Sequence, residues 1–244
     1  MRVPNGRLPP WRHALAKRMS GRLSGLSSMA TRHILADLAR DYEARHGTRV
    51  EIRSMGGVEA AKSLRAGETT DVVVLASKVM ATLETEGHLA KGETRDFAGS
   101  EIGIAVGKGS ALPSVASEKA VKQVMLNARK LCYSTGPSGD HLKALCEKWG
   151  VAPERVLIAP SGVPVATLVA NGDADLGFQQ LSELIGQPGI EVVGPLPPEI
   201  QAVTVFSAGI SINSQDPEGA RAFVAYLASV ETEDAKRRHG MEPA

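Results

Sequence analysis

The sequence predicts an α/β fold, and three observations carry that expectation. Short β-branched runs alternate with segments whose apolar residues recur at helical spacing, glycine or serine marks the junctions between them, and neither low complexity nor a sequence repeat interrupts the alternation. The first helix is read from Ala30, Ile34, Leu35, Leu38 and Tyr42, with Ser28 as its N-cap and Gly47 at its end. "RVEIRS" (49–54) alternates as a strand does, and Gly56 and Gly57 lead into a helix from Val58 to Ala66 that Gly67 closes. "DVVVLAS" (71–77) is a continuous apolar run of the kind buried in parallel sheets. Asp71 before it is expected to cap a turn, and Ser77 after it to reach a cleft. Further strands are expected at 101–106, 130–134, 155–159, 174–178, 190–193 and 202–212, and helices at 77–86, 117–128, 139–149, 163–171 and 217–229. Alternation of this kind implies parallel sheets covered by helices on both faces.

Composition narrows what such a fold can do. The 244 residues, 43% of them hydrophobic, suffice for one large domain or two lobes. With no apolar run of about 18 residues, no membrane span is expected. Cys132 reads as a strand residue and Cys146 as a helix residue, two reduced core thiols. The six His lack metal-ligand spacing, so neither a metal nor another cofactor is expected. Residues 1–36 hold seven Lys and Arg and no acid, leaving 21 basic against all 27 acidic residues in the remainder, a net −6. An acidic body disfavours nucleic acid as a partner, and an anion would have to be held by local geometry. Residues 1–21 lack the apolar stretch of an ordinary secretory signal. The segment is therefore expected outside the fold and the protein in the cytoplasm, with a transporter partner disfavoured. A misassigned start or missing signal would place it in the periplasm instead.

Four junctions share one chemistry: Ser27-Ser28, Gly56-Gly57, Ser138-Gly139 and Ser161-Gly162-Val163-Pro164, the last with Pro164 as a first helical residue. Each opens a helix, whose N-terminal amides carry partial positive charge and accept an anion where small residues let it approach. In "YSTGPSGDHLKAL" (133–145) the hydroxyls of Ser134, Thr135 and Ser138 and the amide of Gly139 converge on such a point. "GKGS" (107–110) lacks the upstream glycine of a P-loop, and neither G-x-G-x-x-G after a strand nor G-x-S-x-G occurs.

The order of elements, with "SSMATRHILADLARDYEARHGTRVEI", "GGVEAAKSLRAGETTDVVVLAS" and "ARAFVAYLAS", resembles the periplasmic molybdate-binding family of solute-binding proteins. The resemblance implies a two-lobed periplasmic-binding-protein-like fold closing on a small anion. Lobe one would comprise 22–105 and 206–244, and lobe two 106–205. It also implies that Ser28 is the family's first-loop serine, Ser138 the small residue of the second-lobe loop, and Val163 an amide donor. Gly57 stands where the family has a second serine and Gln180 where it has a tyrosine. Gln179 and Gln180 would offer amides to a carboxylate. "SMATR", "STGPSG", "GVPVATLVANGDADLGFQQLSELI" and "FSAGI" resemble the aconitate isomerase subgroup, which implies a tricarboxylate ligand and a 1,3-proton shift.

The expectation is therefore a binder of a small di- or tricarboxylate, with a cofactor-free aconitate isomerase, or molybdate and tungstate binding, as alternatives. The binding set is Ser28, Gly56, Gly57, Ser77, Thr135, Ser138, Gly139, Val163, Gln179 and Gln180. A proton shift also needs a base. His141, in the first turn after Ser138-Gly139, is the first candidate, followed by Glu59 and Lys143. Arg32 and Lys62 are candidate carboxylate partners.

Overall fold

The computed structural model describes residues 21–244, so nearly all of the basic segment lies outside the described residues. Two mixed sheets organise the chain. The first sheet draws on β1 (Arg22–Ser28), β2 (Arg49–Met55), β3 (Val72–Ala76), β4 (Arg95–Ser100), β10 (Thr204–Ile210) and β11 (Met241–Pro243), in the order β11-β4-β10-β3-β1-β2. The second has β5 (Ile102–Gly107), β6 (Leu131–Tyr133), β7 (Val156–Ile158), β8 (Leu176–Gln180) and β9 (Ile190–Pro195), in the order β7-β6-β8-β5-β9.

Helices cover both faces of each sheet, as the patterning requires. On the first sheet lie α1 (Arg32–His46), α2 (Gly57–Arg65), α3 (Ser77–Thr85), α8 (Pro217–Leu227) and α9 (Glu233–Arg238). On the second lie α4 (Glu118–Asn127), α5 (Pro137–Trp149), α6 (Val165–Ala170) and α7 (Leu181–Leu184). β3 shows why a strand buried on both sides reads as one apolar run. Val72, Val74 and Ala76 join the core with Ile34, Leu38 and Phe223, while Val73 and Leu75 face Ala60, Leu64 and Met80. Tyr42 of α1 meets Phe223 of α8 edge-on at 5.0 Å between ring centroids.

Parallel pairing is confined to β3-β1-β2 and β7-β6-β8, and β4, β5, β9, β10 and β11 pair antiparallel. The chain passes between sheets twice, through Glu101 from β4 to β5 and through residues 196–203 from β9 to β10. β5 thus belongs to the second sheet, and the crossing falls at Glu101 instead of after residue 105. Gln201 ties the two passages together. Its Oε1 accepts from the Ile102 amide at 2.9 Å, and its Nε2 donates to the carbonyls of Ile102 and Leu196 at 3.2 and 3.1 Å. Close by, the Ser182 hydroxyl of α7 donates to the Ala30 carbonyl at 2.8 Å, which docks a lobe-two helix on the first loop of lobe one.

Both cysteines are free and buried, and burial pushes the thiols of Cys132 and Cys146 up to about 12 and about 11. Asp71 does more than cap a turn. Its Oδ2 accepts from the amide and hydroxyl of Ser24 at 2.8 Å each. Its Oδ1 accepts from Ser214 Oγ at 2.8 Å and from the amides of Gln215 and Asp216 at 2.9 and 3.3 Å.

Candidate functional site

Strand ends and helix starts from both lobes enclose a cavity of about 430 Å³. Lobe one contributes Ser28 to Ala30, Gly57, Val58, Lys78, Val79 and Phe206. Lobe two contributes Ser134 to Ser138, Ala159 to Pro164, Gln179, Gln180 and Glu183. Seven of the expected binding residues therefore meet in one place: Ser28, Gly57, Thr135, Ser138, Val163, Gln179 and Gln180.

Local structure explains the donors. In α2 the first internal bond runs from the Ala60 amide to the Gly56 carbonyl at 2.9 Å, which leaves the amides of Gly57, Val58 and Glu59 ahead of the helical ladder. α5 opens with Pro137, and its first internal bond is Asp140 to Gly136 at 2.9 Å, so the Ser138 and Gly139 amides stand ahead of it in turn. The Ser138 hydroxyl makes no hydrogen bond among the described residues, although the residue is only 3% exposed. Ser28 precedes a 3-10 turn (Met29–Thr31), and its side chain does not cap it; its Oγ lies 3.5 Å from Thr31 Oγ1.

Other expected positions serve different ends. Ser77 Oγ is bound within lobe one, 2.6 Å from Ser207 Oγ and 3.1 Å from Asp96 Oδ1, so it does not reach the cavity. Gly139 has a packing reason to be glycine: a Cβ there would sit 1.7 Å from the Ser134 carbonyl oxygen. Gly56 stands at the rim, where an added Cβ would meet Ser161 Oγ at 3.3 Å and Glu59 Oε2 at 3.4 Å. The Val163 amide is not a free donor, because it closes a turn onto the Pro160 carbonyl at 3.0 Å. Pro164 is the N-cap of α6 and not its first residue. Gln179 is spent at both ends, its Oε1 accepting from the Val165 amide at 3.1 Å and its Nε2 donating to Glu183 Oε1 at 2.7 Å. Gln180 Nε2 donates to Thr204 Oγ1 at 2.7 Å, and its Oε1 is buried without a partner among the described residues.

The structure does not bring the three expected bases to the cavity. His141 Nε2 is 2.7 Å from the Ile200 carbonyl oxygen, so that nitrogen carries the hydrogen and points to the passage between β9 and β10. Lys143 is exposed on α5, and Glu59 is exposed at the rim; Arg32 and Lys62 do not line the cavity either. The carboxylate that does line it is Glu183. Burial pushes Glu183 up to about 7, against the opposing pull of the Gln179 hydrogen bond and the Arg32 charge. The four-residue step from Gln179 to Glu183 in "QQLSE" was its sequence signal. Of the two cations in the lining, Arg65 is paired with Glu86 at 2.8 Å, whereas Lys78 has no carboxylate within 4 Å among the described residues. No group of three or more His, Cys, Asp or Glu that could hold a metal occurs among the described residues.

Comparison with known proteins agrees with this architecture. Residues 23–242 match the family described as bacterial extracellular solute-binding protein, and the chain belongs to that family. It is 34% identical over 232 residues to a protein named aconitate isomerase from Pseudomonas sp., covering 91% of this chain and 87% of the relative. Its fold is that of the Azotobacter vinelandii periplasmic molybdate-binding protein, with a TM-score of 0.73 at 22% identity over 90% of this chain and 98% of the other. The sulfate-binding protein SubI of Mycobacterium tuberculosis gives 0.73 at 12% identity, over 92% and 87%. The fold is thus the two-lobed one of periplasmic binding proteins, with the cavity between the lobes.

Proposed function

We propose that this solute-binding protein holds a small di- or tricarboxylate between its lobes. The observation that carries the reading is the division of the cavity wall. Hydroxyls and helix-opening amides at Ser28, Gly57 and Ser138 provide anion contacts, while Val58, Val79 and Phe206 provide apolar surface. A carboxylate joined to a carbon skeleton uses both kinds of wall, whereas a tetrahedral oxyanion has no use for the second. Lys78, with no carboxylate within 4 Å among the described residues, supplies a positive charge. Gly57 and Gln180, in place of the serine and tyrosine of the molybdate-binding pattern, also favour a carboxylate.

The test is a thermal-shift panel of molybdate, tungstate, sulfate, citrate and both aconitate isomers. A ligand at about 100 times its dissociation constant adds about 2.7 kcal/mol. Carboxylates are expected to give the larger shifts, and a molybdate shift above every carboxylate shift would sink the reading.

A second reading, in which the carboxylate is a substrate, is supported by one observation: a carboxyl group with its affinity for protons raised stands in the cavity wall. The reaction would be the 1,3-proton shift that interconverts cis- and trans-aconitate, and the 34% identical relative is named aconitate isomerase. The cytoplasmic expectation rests on residues outside the described ones. The extracellular description of the family and the periplasmic molybdate-binding likeness support the periplasm. No helix among the described residues is long and apolar enough to cross a membrane.

A further inference from the structure

We propose that Glu183 is the catalytic acid–base of this cleft, removing a proton from the methylene carbon of a bound unsaturated tricarboxylate and returning it to the far end of the allylic system. The inference rests on the isomerase reading and names its reacting group.

Three features of position carry it. Glu183 is the carboxylate that lines the cavity among the described residues. One of its oxygens is fixed: Oε1 accepts from Gln179 Nε2 at 2.7 Å, and Gln179 is itself anchored by the Val165 amide at 3.1 Å. The other oxygen, Oε2, accepts no hydrogen bond among the described residues and, unlike Gln180 Oε1, is not sealed from solvent. A base needs this arrangement, with one oxygen locked for aim and one open for the proton. Gln180 beside it has a buried Oε1 without a partner among the described residues, and turning the amide over would let Oε1 accept from the Thr204 hydroxyl.

The chemistry balances without a co-reactant. The methylene C–H bond breaks and its proton passes to Oε2. Its electron pair forms a new C=C bond to the central carbon, and the former C=C pair spreads over the vinyl carbon and its carboxylate as a dienolate. The protonated Glu183 then gives the proton to the former vinyl carbon, where a C–H bond forms. Helix-opening amides and Lys78 stabilise the charge between the steps. A carboxyl raised to about 7 populates both forms near neutrality, as a group that takes and returns one proton requires.

Among the described residues, few charged and titratable groups stand around Glu183. Arg32 opens α1, His33 follows it with Nε2 at 3.4 Å from Gln187 Nε2, and Lys78 and Arg65 line the same cavity from lobe one. The experiment follows trans-aconitate with the full chain by proton NMR in deuterated water, reading cis-isomer formation and methylene exchange, with affinity measured by calorimetry. Glu183→Gln is expected to slow turnover by about 10² to 10⁴ while affinity stays within about tenfold. The wild-type rate is expected to rise with pH along a limb near 7, which Glu183→Asp displaces and His33→Asn leaves in place. Turnover within tenfold of wild type in Glu183→Gln, joint loss of binding and turnover, or a limb that disappears with His33 would each overturn the assignment. Should Glu183→Gln fail to fold, the limb and its displacement in Glu183→Asp decide. Wild-type protein that binds aconitate with neither exchange nor isomerisation removes the catalytic role and leaves the binding reading, and protein that binds no carboxylate removes both.

Discussion

Asp71 in lobe one is buried and Glu183 at the cleft is half-buried, and their protons behave oppositely. For each, burial is the largest influence and favours the neutral acid. Asp71 meets it with hydrogen bonds from Ser24, Ser214, Gln215 and Asp216, and its carboxyl is held below the usual range. Glu183 has Gln179 alone as a hydrogen-bond donor among the described residues, and burial carries it up to about 7. The number of aimed donors, more than depth, sets the sign. A carboxylate saturated with donors ties β1 to the loop before α8. One left short of donors keeps a raised affinity for its proton, and it stands in the cavity wall.

The contrast can be broken most sharply at Asp71. Asp71→Ala strands three backbone amides and two hydroxyls, and urea unfolding is expected to show a loss of about 3 to 5 kcal/mol. A loss under 1 kcal/mol would mean that water replaces the carboxylate and that saturation is incidental. Next in size is the pH dependence of stability at Glu183. Its folded-state proton affinity is raised, so between about pH 4.5, the unfolded value, and about 7 the folded state keeps a proton that the unfolded state has released. Stability therefore falls as pH rises through that window. At about 1.4 kcal/mol per unit the shift from 4.5 to about 7 caps the effect at about 3 to 4 kcal/mol. Glu183→Gln should lack it, gaining on wild type toward pH 8 and matching it near pH 4. Asp71 contributes with the opposite sign, its stabilisation present above about pH 3.9 and lost as pH falls through its lower folded value. Parallel wild-type and Glu183→Gln curves across the window would show that Glu183 is better solvated than its position implies. The smallest effect extends the comparison to a neutral group left short of partners. Ser138→Ala is expected to weaken carboxylate binding by about 1 to 2 kcal/mol, and unchanged affinity by calorimetry would reduce Ser138 to the opening of α5.

Periodicity exposed the elements whose burial is regular. The faces of α1 and α2, the two-sided burial of β3 and the positions of α3, α5 and α8 all follow from patterns along the chain. β1, β4, β11, α7 and α9 escaped that reading. β1 lies between β3 and β2 although "RLSGLSS" carries no β-branched residue, because its neighbours supply the apolar contacts, with Ile52 packed against Gly25. The junctions were legible as small residues before helices, and the cavity gathers Ser28, Gly57 and Ser138 from three of them. Which groups stay open was not legible. Ser77, Val163, Gln179 and His141 look as available along the chain as Ser138 does, but their polar atoms are taken by Ser207, Pro160, Val165 with Glu183, and Ile200.

The sequence by itself determined where helices and strands alternate, that helix starts would carry small and hydroxylated residues, and that the body would be acidic. Tertiary structure alone decided that β5 leaves the first sheet, that Glu183 and not His141 lines the cavity, and how many donors each of the two carboxylates receives. The division has a physical cause. Period and capping are local properties of a few successive residues, whereas an atom's hydrogen-bond account is settled by partners brought from distant parts of the chain, as Ser214 is brought to Asp71.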